Sequence, residues 1–175
     1  TPVSSHEMAA MTAAPATIEI RDYRADDRHA VVDLARELQA HERAVYDRML
    51  PPLAIGPDYV EALLADCRKY GGRIIVAESA GALVGYAVVE THVHEESIDE
   101  EHYTYAYVAD LVVTESRRGT GVGRRLLTAC EDIAVKAGAR WLRISALAAN
   151  GQARALYHRF GFSDHLITLE KPIGN

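Results

Sequence analysis

Between an apolar run at Ala109 to Val113 and a helical pattern beginning at Arg124 lies the hexapeptide Arg118-Gly119-Thr120-Gly121-Val122-Gly123. A strand, a glycine turn and a helix in that order constrain the fold more than any other stretch of the chain. Glycines at alternate positions remove side chains, so several backbone N–H groups can converge on one anion. The positive end of the following helix is directed at the same place. Phosphate or pyrophosphate is the natural guest. Spacing excludes two common phosphate loops. A dinucleotide fingerprint G-x-G-x-x-G counted from Gly119 would need glycine where Arg124 stands, and a Walker loop needs a lysine that is missing here. A tight turn that merely opens a helix is the plain alternative.

A second motif lies downstream. Asn150, Ala153, Leu156, Tyr157, Gly161 and Phe162 fit N-x-x-A-x-x-L-Y-x-x-x-G-F, and Arg118, Gly121 and Gly123 fit R-x-x-G-x-G. One helix and one strand separate the two. In this pairing the chain resembles the GNAT N-acetyltransferases, which bind acetyl-CoA. The resemblance runs from Ile18 to Pro172 and is sharpest from Asp110 to Phe162.

A chain of 175 residues suits one domain with a substantial core. Its formal net charge of -6 argues against a nucleic-acid partner and tolerates a cationic small molecule or basic peptide. Cys67 and Cys130 fall on apolar helical stripes, which reads as buried thiols in a reducing compartment. No apolar run reaches the length of a membrane span and no signal-like segment opens the chain, so no membrane partner is expected and the cytoplasm is the default. Residues 1–16, rich in Ala, Ser, Thr and Pro, read as a flexible tail ahead of a single domain over 17–175.

Hydrophobic periodicity orders the elements. Ile18 to Arg21 alternates as a first strand, and Asp26 or Asp27 can cap a helix with the stripe Val31, Leu34, Ala35 and Leu38. Pro51, Pro52 and Pro57 mark a loop. A second helix starts at Asp58 and ends at Gly71-Gly72. Arg73 to Glu78 and Ala82 to Glu90 form a hairpin about Ser79-Ala80-Gly81. A polar, acidic connection leads to a long strand, Tyr103 to Val113. A third helix, a strand at Trp141 to Leu147, a short helix at Ala153 to Phe160 and a strand at Leu166 to Glu170 complete the order β-α-α-β-β-β-α-β-α-β. That order is an α+β domain with a mixed central sheet, its middle pair made parallel by the crossover.

The resemblance implies that two parallel strands splay apart and admit the pantetheine arm of coenzyme A. Backbone groups of Leu111, Val112 and Val113 would bond the arm as an added strand does. Gly119, Thr120, Gly121, Val122 and Gly123 would hold the pyrophosphate, with Arg118 and Arg124 alongside, and Asn150 would touch the arm from the other side. Each has a plainer role open to it: Val112 and Val113 as sheet core, the two arginines as surface charges, Asn150 as the cap of the last helix.

Tyr157 is the candidate general acid. Attack of an amine on a thioester expels a thiolate that needs a proton, and a phenol of pKa about 10 still carries one at neutral pH. The family places a tyrosine here beside the sulfur. On spacing alone Tyr157 is equally a core aromatic next to the pair Leu156 and Phe160. The amine must lose a proton as well, which for pKa about 10.4 costs roughly 4.6 kcal/mol at pH 7. Asp110 is the first candidate base and Glu90 the second. Val108-Ala109-Asp110-Leu111 is similar to the diamine acetyltransferases, where two adjacent acids usually stand; Ala109 departs from that pattern and weakens a polyamine assignment.

The connection Glu95, Glu96, Asp99, Glu100 and Glu101 is either a solvated loop or a negative rim that steers a cationic amine. His92 and His94 lack an evident third metal ligand, and no metal is expected. In the family the first two helices wall the acceptor pocket, here from about Gln39, His41, Glu42 and Tyr46 to Tyr59. The expected activity is direct acetyl transfer to a primary amine, since no cysteine is placed to carry the acyl group. A non-catalytic acyl-CoA-binding module and an enzyme for a longer acyl group share the same loop. Many members of the family pair as homodimers, which leaves that state open for this chain.

Overall fold

The computed structural model describes residues 17–94 and 103–173. Five strands form one sheet in the order β1-β2-β3-β4-β5: β1 Ile18–Asp22, β2 Arg73–Ser79, β3 Ala82–His94, β4 Thr104–Val113 and β5 Leu142–Ile144. Neighbours are antiparallel except β4 and β5, which run parallel. Strand residues apolar at successive positions need cover on both faces. Ile74, Val76, Tyr86 and Val88 project to one face, where α1 Arg28–Arg43 and α2 Pro57–Tyr70 supply Val31, Leu34, Val60 and Leu63. Ile75, Ala77, Ala87 and Val89 project to the other, against Val122, Leu126 and Cys130 of α3 Val122–Lys136. The last helix, α4 Gly151–Phe160, meets the start of α3, where a Cβ on Gly123 would lie 3.1 Å from Leu156.

The α+β class, the mixed sheet and the order of elements through α4 agree with the sequence reading. Four local features differ. Asp27 stands at the N-cap of α1 but does not cap it. Its carboxylate instead takes two bonds from the Arg21 guanidinium, at 2.7 and 2.9 Å, and one from the Arg24 N–H at 2.7 Å. A bidentate charged pair outcompetes a neutral amide donor. Strand β3 extends four residues further, to His94. Strand β5 is only three residues long, against the seven expected, because it leaves its partner after Ile144. The expected final strand at Leu166 to Glu170 is not formed; 163–173 carries no regular structure. The tail 1–16 and the acidic residues Glu95, Glu96, Asp99, Glu100 and Glu101 lie outside the described residues.

One irregularity decides the site. Strand β4 pairs Asp110 with Val88 but Val108 with Val89, so Ala109 is an extra residue in the ladder. Such a bulge reverses which face the following residues use and sharpens the local twist. Val108 packs on the α3 face, whereas Val112 packs on the α1/α2 face. Asp110 shares the parity of Val112 and is thereby carried to the α1/α2 side. Pairing with β5 ends at the same point, at Val108 and Ile144.

Candidate active site

Past that bulge, Leu111 to Val113 have β3 on one side and, among the described residues, no strand on the other. A cleft of about 700 Å³ opens along this free edge, bounded by β4, the turn before α3 and the first turns of α4. Gly119 and Gly121 have φ of +74° and +93°, a left-handed backbone that favours glycine. Gly121 is the N-cap of α3, so the helix opens with its N–H groups directed toward the turn. The charged side chains lining the cleft are Arg117, Arg118, Arg124 and Arg159, with no acid among the lining residues. In a chain of net charge -6 this is a local reversal of sign, suited to a polyanion.

Of the residues expected to hold the cofactor, Leu111, Val112, Val113, Arg118, Gly119, Gly121, Gly123, Arg124 and Asn150 line this cleft, as does Tyr157. Thr120 and Val122 do not. The Thr120 hydroxyl donates to the Arg117 carbonyl at 2.7 Å, and Val122 is fully buried in the core under α3. The Val112 side chain is buried as well, so it faces the cleft by its backbone. Arg118 is held in place: it donates from Nε to the Val113 carbonyl at 3.1 Å, meets His41 Nδ1 at 3.3 Å and lies 3.7 Å from Glu37. Asn150 caps α4, its Oδ1 accepting from the Ala153 N–H at 3.1 Å. It is buried and also borders the cleft, so the two roles coexist.

At the other end of the free edge stands a group of acids and phenols. Asp110 Oδ2 accepts from the Tyr59 hydroxyl at 2.6 Å and the Tyr86 hydroxyl at 2.8 Å. Burial raises the Asp110 carboxyl above the ordinary aspartate range, although both hydroxyls act to lower it. Glu42, at the end of α1, is raised by burial and by the charge of Asp110. Burial pushes Tyr157 up to about 12, with smaller contributions from Glu42, Tyr107 and Asp110. Its ring meets Phe162 edge-on at 6.0 Å. The two catalytic candidates thus share one electrostatic neighbourhood.

Asp110 itself does not line the cleft; its carboxylate is turned to Tyr59 and Tyr86 on the α1/α2 side. Glu90, the second candidate base, does not line the cleft either. It is buried on β3, where burial and the charge of Asp66 raise its carboxyl. His92 and His94 end β3, and His92 Nδ1 lies 2.8 Å from the Thr91 hydroxyl.

Tyr86 was not singled out from sequence. Its signal is a hydroxyl inside the otherwise apolar run Leu83 to Val89, since a buried phenol needs a polar partner. Register supplies it, because Tyr86 pairs with Val112 and Val88 with Asp110, making Tyr86 and Asp110 diagonal neighbours on one face. Glu42 was read only as pocket wall, and its proximity to Asp110 follows from how α1 crosses β4.

A strand edge that parts from its neighbour and runs from buried acids and a phenol to a glycine turn beside four arginines defines an α+β domain with a cleft suited to a polyanion. Residues 29–162 match the Acetyltransferase (GNAT) family, and the chain belongs to it. Solved structures agree on the fold. A variant of the BH1408 protein from Bacillus halodurans is 23% identical with a TM-score of 0.74, covering 89% of this chain and 99% of its own. Glucosamine-6-phosphate N-acetyltransferase from Arabidopsis thaliana is 18% identical with a TM-score of 0.64, covering 90% and 99%. The aminoglycoside N-acetyltransferase AAC(6')-Iy in complex with CoA is 16% identical with a TM-score of 0.60, covering 89% and 100%. No curated protein matches the sequence.

Proposed function

We propose that the protein is an acetyl-CoA-dependent N-acetyltransferase that passes the acetyl group directly to a primary amine of a small cationic molecule or basic peptide. The observation that carries this reading is the free backbone edge at Leu111 to Val113, with an anion turn at one end and Tyr157, Asp110 and Glu42 at the other. The cleft fits coenzyme A chemically: unpaired amides for the arm, arginines and helix N–H groups for the phosphates, and a volume within the usual range for such ligands. Bound there, acetyl-CoA supplies an activated thioester.

The protein's own residues would then do three things. Leu111 and Val113 fix the arm by backbone hydrogen bonds, as an added strand is fixed. The carboxyls of Asp110 and Glu42 attract the ammonium group and accept its proton. Held above the ordinary range, each is better matched to that task than a solvated carboxylate. Tyr157 keeps its proton through neutral pH and donates it toward the departing thiolate. From a phenol at about 12 to a thiol of reference pKa about 8.5 that transfer is uphill by roughly 3.5 units, and burial, the main cause of the raised phenol, sets most of that cost.

A covalent acyl-cysteine route is unsupported. Cys67 and Cys130 are buried, away from the cleft lining, and burial pushes their thiols up to about 11 and about 12. Buried free thiols also suit a reducing, cytoplasmic setting.

The test is release of free CoA thiol when acetyl-CoA meets a panel of polyamines, lysine, aminoglycosides, arylamines and basic peptides. Turnover with at least one amine is expected, and Tyr157→Phe should lower kcat by about 10²-fold or more while acetyl-CoA still binds. Tight binding without turnover on any amine would instead make the protein an acyl-CoA-binding module. Unchanged turnover in Tyr157→Phe would remove the phenol from the mechanism.

A further inference from the structure

Both tyrosines that bond Asp110 donate to the same oxygen. The Tyr59 hydroxyl reaches Oδ2 at 2.6 Å and the Tyr86 hydroxyl reaches it at 2.8 Å. Oδ1 has no hydrogen-bond partner among the described residues. No fully buried side-chain oxygen is left unpaired among them, so Oδ1 keeps a side open to solvent. An ionised carboxyl accepts through both oxygens, and here the protein fills one and leaves the other bare.

Nothing cationic among the described residues answers that charge. The ionisable groups facing Asp110 are Glu42 from α1, Tyr59 from α2, Tyr86 and Glu90 from β3, and Tyr157 from α4. Every one is an acid or a phenol. Burial holds the Tyr59 and Tyr86 phenols above their ordinary range, so both keep their protons and act on Asp110 as donors alone. A buried carboxylate without a cation is unfavourable, and an ammonium brought to Oδ1 relieves that. The two phenols stand on different elements, α2 and β3, which gives the carboxyl two rigid supports.

We infer that Tyr59 and Tyr86 are positioning residues of the acceptor site, holding Asp110 so that its Oδ1 receives the amine proton. The inference rests on the proposed acetyl transfer and assigns the proton to one atom in it. An N–H bond of the ammonium breaks, its electron pair stays on nitrogen, and the proton joins Oδ1, which later gives it to solvent. The freed lone pair attacks the thioester carbon, and the carbon–sulfur bond breaks. The proton that Tyr157 lends to sulfur is recovered from nitrogen as the amide forms.

The test compares Tyr59→Phe and Tyr86→Phe, both close to isosteric, with the wild type. Removing a donor to Oδ2 disfavours the charged carboxylate, so Asp110 should titrate at higher pH. Carboxyl-carbon NMR of the free protein reads this without turnover, the Asp110 signal being assigned by its loss in Asp110→Asn. An upward move of the midpoint in Tyr59→Phe is expected, and an unmoved midpoint overturns the inference. With an amine from the acceptor screen, kcat should fall by about tenfold in Tyr59→Phe. The acidic limb of kcat/KM should move upward with the midpoint. A phenol that only walls the pocket would raise KM and leave that limb in place, which also overturns the inference. In the Asp110→Asn background Tyr59→Phe should cost nothing further; a second loss of the same size shows that Tyr59 acts on its own and not through Asp110. Tyr86→Phe should repeat the pattern, and if it fails to fold Tyr59→Phe decides alone. Absence of turnover on every amine is a failure of the acetyl-transfer reading and takes this inference with it. An unmoved limb in an active enzyme is a failure of this inference alone.

Discussion

Two tyrosine hydroxyls on one oxygen of Asp110 favour its ionised form, yet burial outweighs them and the carboxyl stands above the ordinary aspartate range. The folded chain therefore holds that proton more tightly than the unfolded chain does. The contribution to stability is complete below the unfolded value, about 3.9, and is lost as pH rises through the higher folded value. At neutral pH the carboxylate is a cost to the fold. Asp110→Asn removes the charge and keeps an oxygen for Tyr59 and Tyr86. Its urea midpoint at pH 7 is expected to equal or exceed that of the wild type, with a flatter profile just above the unfolded value. Its kcat/KM should fall by about 10²-fold if Asp110 takes the amine proton. A lower midpoint at pH 7 would mean that the carboxylate stabilises the fold instead. Asp110 was legible as a candidate because it stands in the run leading to the glycine turn. Tyr86 and Glu42 were not, because their proximity to it is created by β3 register and by the crossing of α1.

At the scale of elements, the helices and the β2–β3 hairpin could be read from the chain because each carries its own period and its own stop, such as Gly71 with φ of +69° at the end of α2. The short apolar runs at Trp141 to Leu147 and Leu166 to Glu170 carry no such signal, because a strand exists only where a neighbour accepts its hydrogen bonds. The first keeps three residues of pairing, and the second keeps none within its own chain. The bulge at Ala109 was likewise invisible, since one extra residue in a ladder leaves no mark on composition. Its role can be tested by deleting Ala109. The shortened strand then runs as a regular ladder, with Asp110 still opposite Val88 on the α1/α2 face, and loses only the extra twist that the bulge adds. Asp110 keeps Tyr59 and Tyr86, so the urea midpoint should stay close to that of the wild type, while acetyl transfer should fall because the local twist that parts β4 from β5 is reduced. A deletion variant with full acetyl transfer would show that the bulge is dispensable to the site.

For the whole molecule, the cleft joins parts that lie far apart in sequence: α1 through Leu38 and His41, β4, the turn before α3, and α4. A ligand that bridges them and binds only the folded state must stabilise all of them together. At a hundredfold excess over its Kd, coenzyme A should add about 2.7 kcal/mol, which for a chain of this size raises Tm by roughly 5–10 °C. Differential scanning fluorimetry with and without CoA reads this directly. Arg118→Ala should shrink the shift, since Arg118 ties the Val113 carbonyl to His41 and faces the cleft. A shift unchanged in that variant would move the phosphates elsewhere.

The sequence by itself determined the α+β class and the glycine turn at the α3 N-terminus, and it marked Tyr157 as the candidate acid. These are local matters: periodicity, backbone freedom at Gly119 and Gly121, and the residue types a reaction requires. Tertiary structure alone decided that β4 and β5 part after Val108, that Asp110 turns toward Tyr59 and Tyr86, and that 166–170 stays outside its own sheet. Each of those depends on which strand lies alongside. Hydrogen-bond register is a property of two segments together, and neither segment encodes it alone.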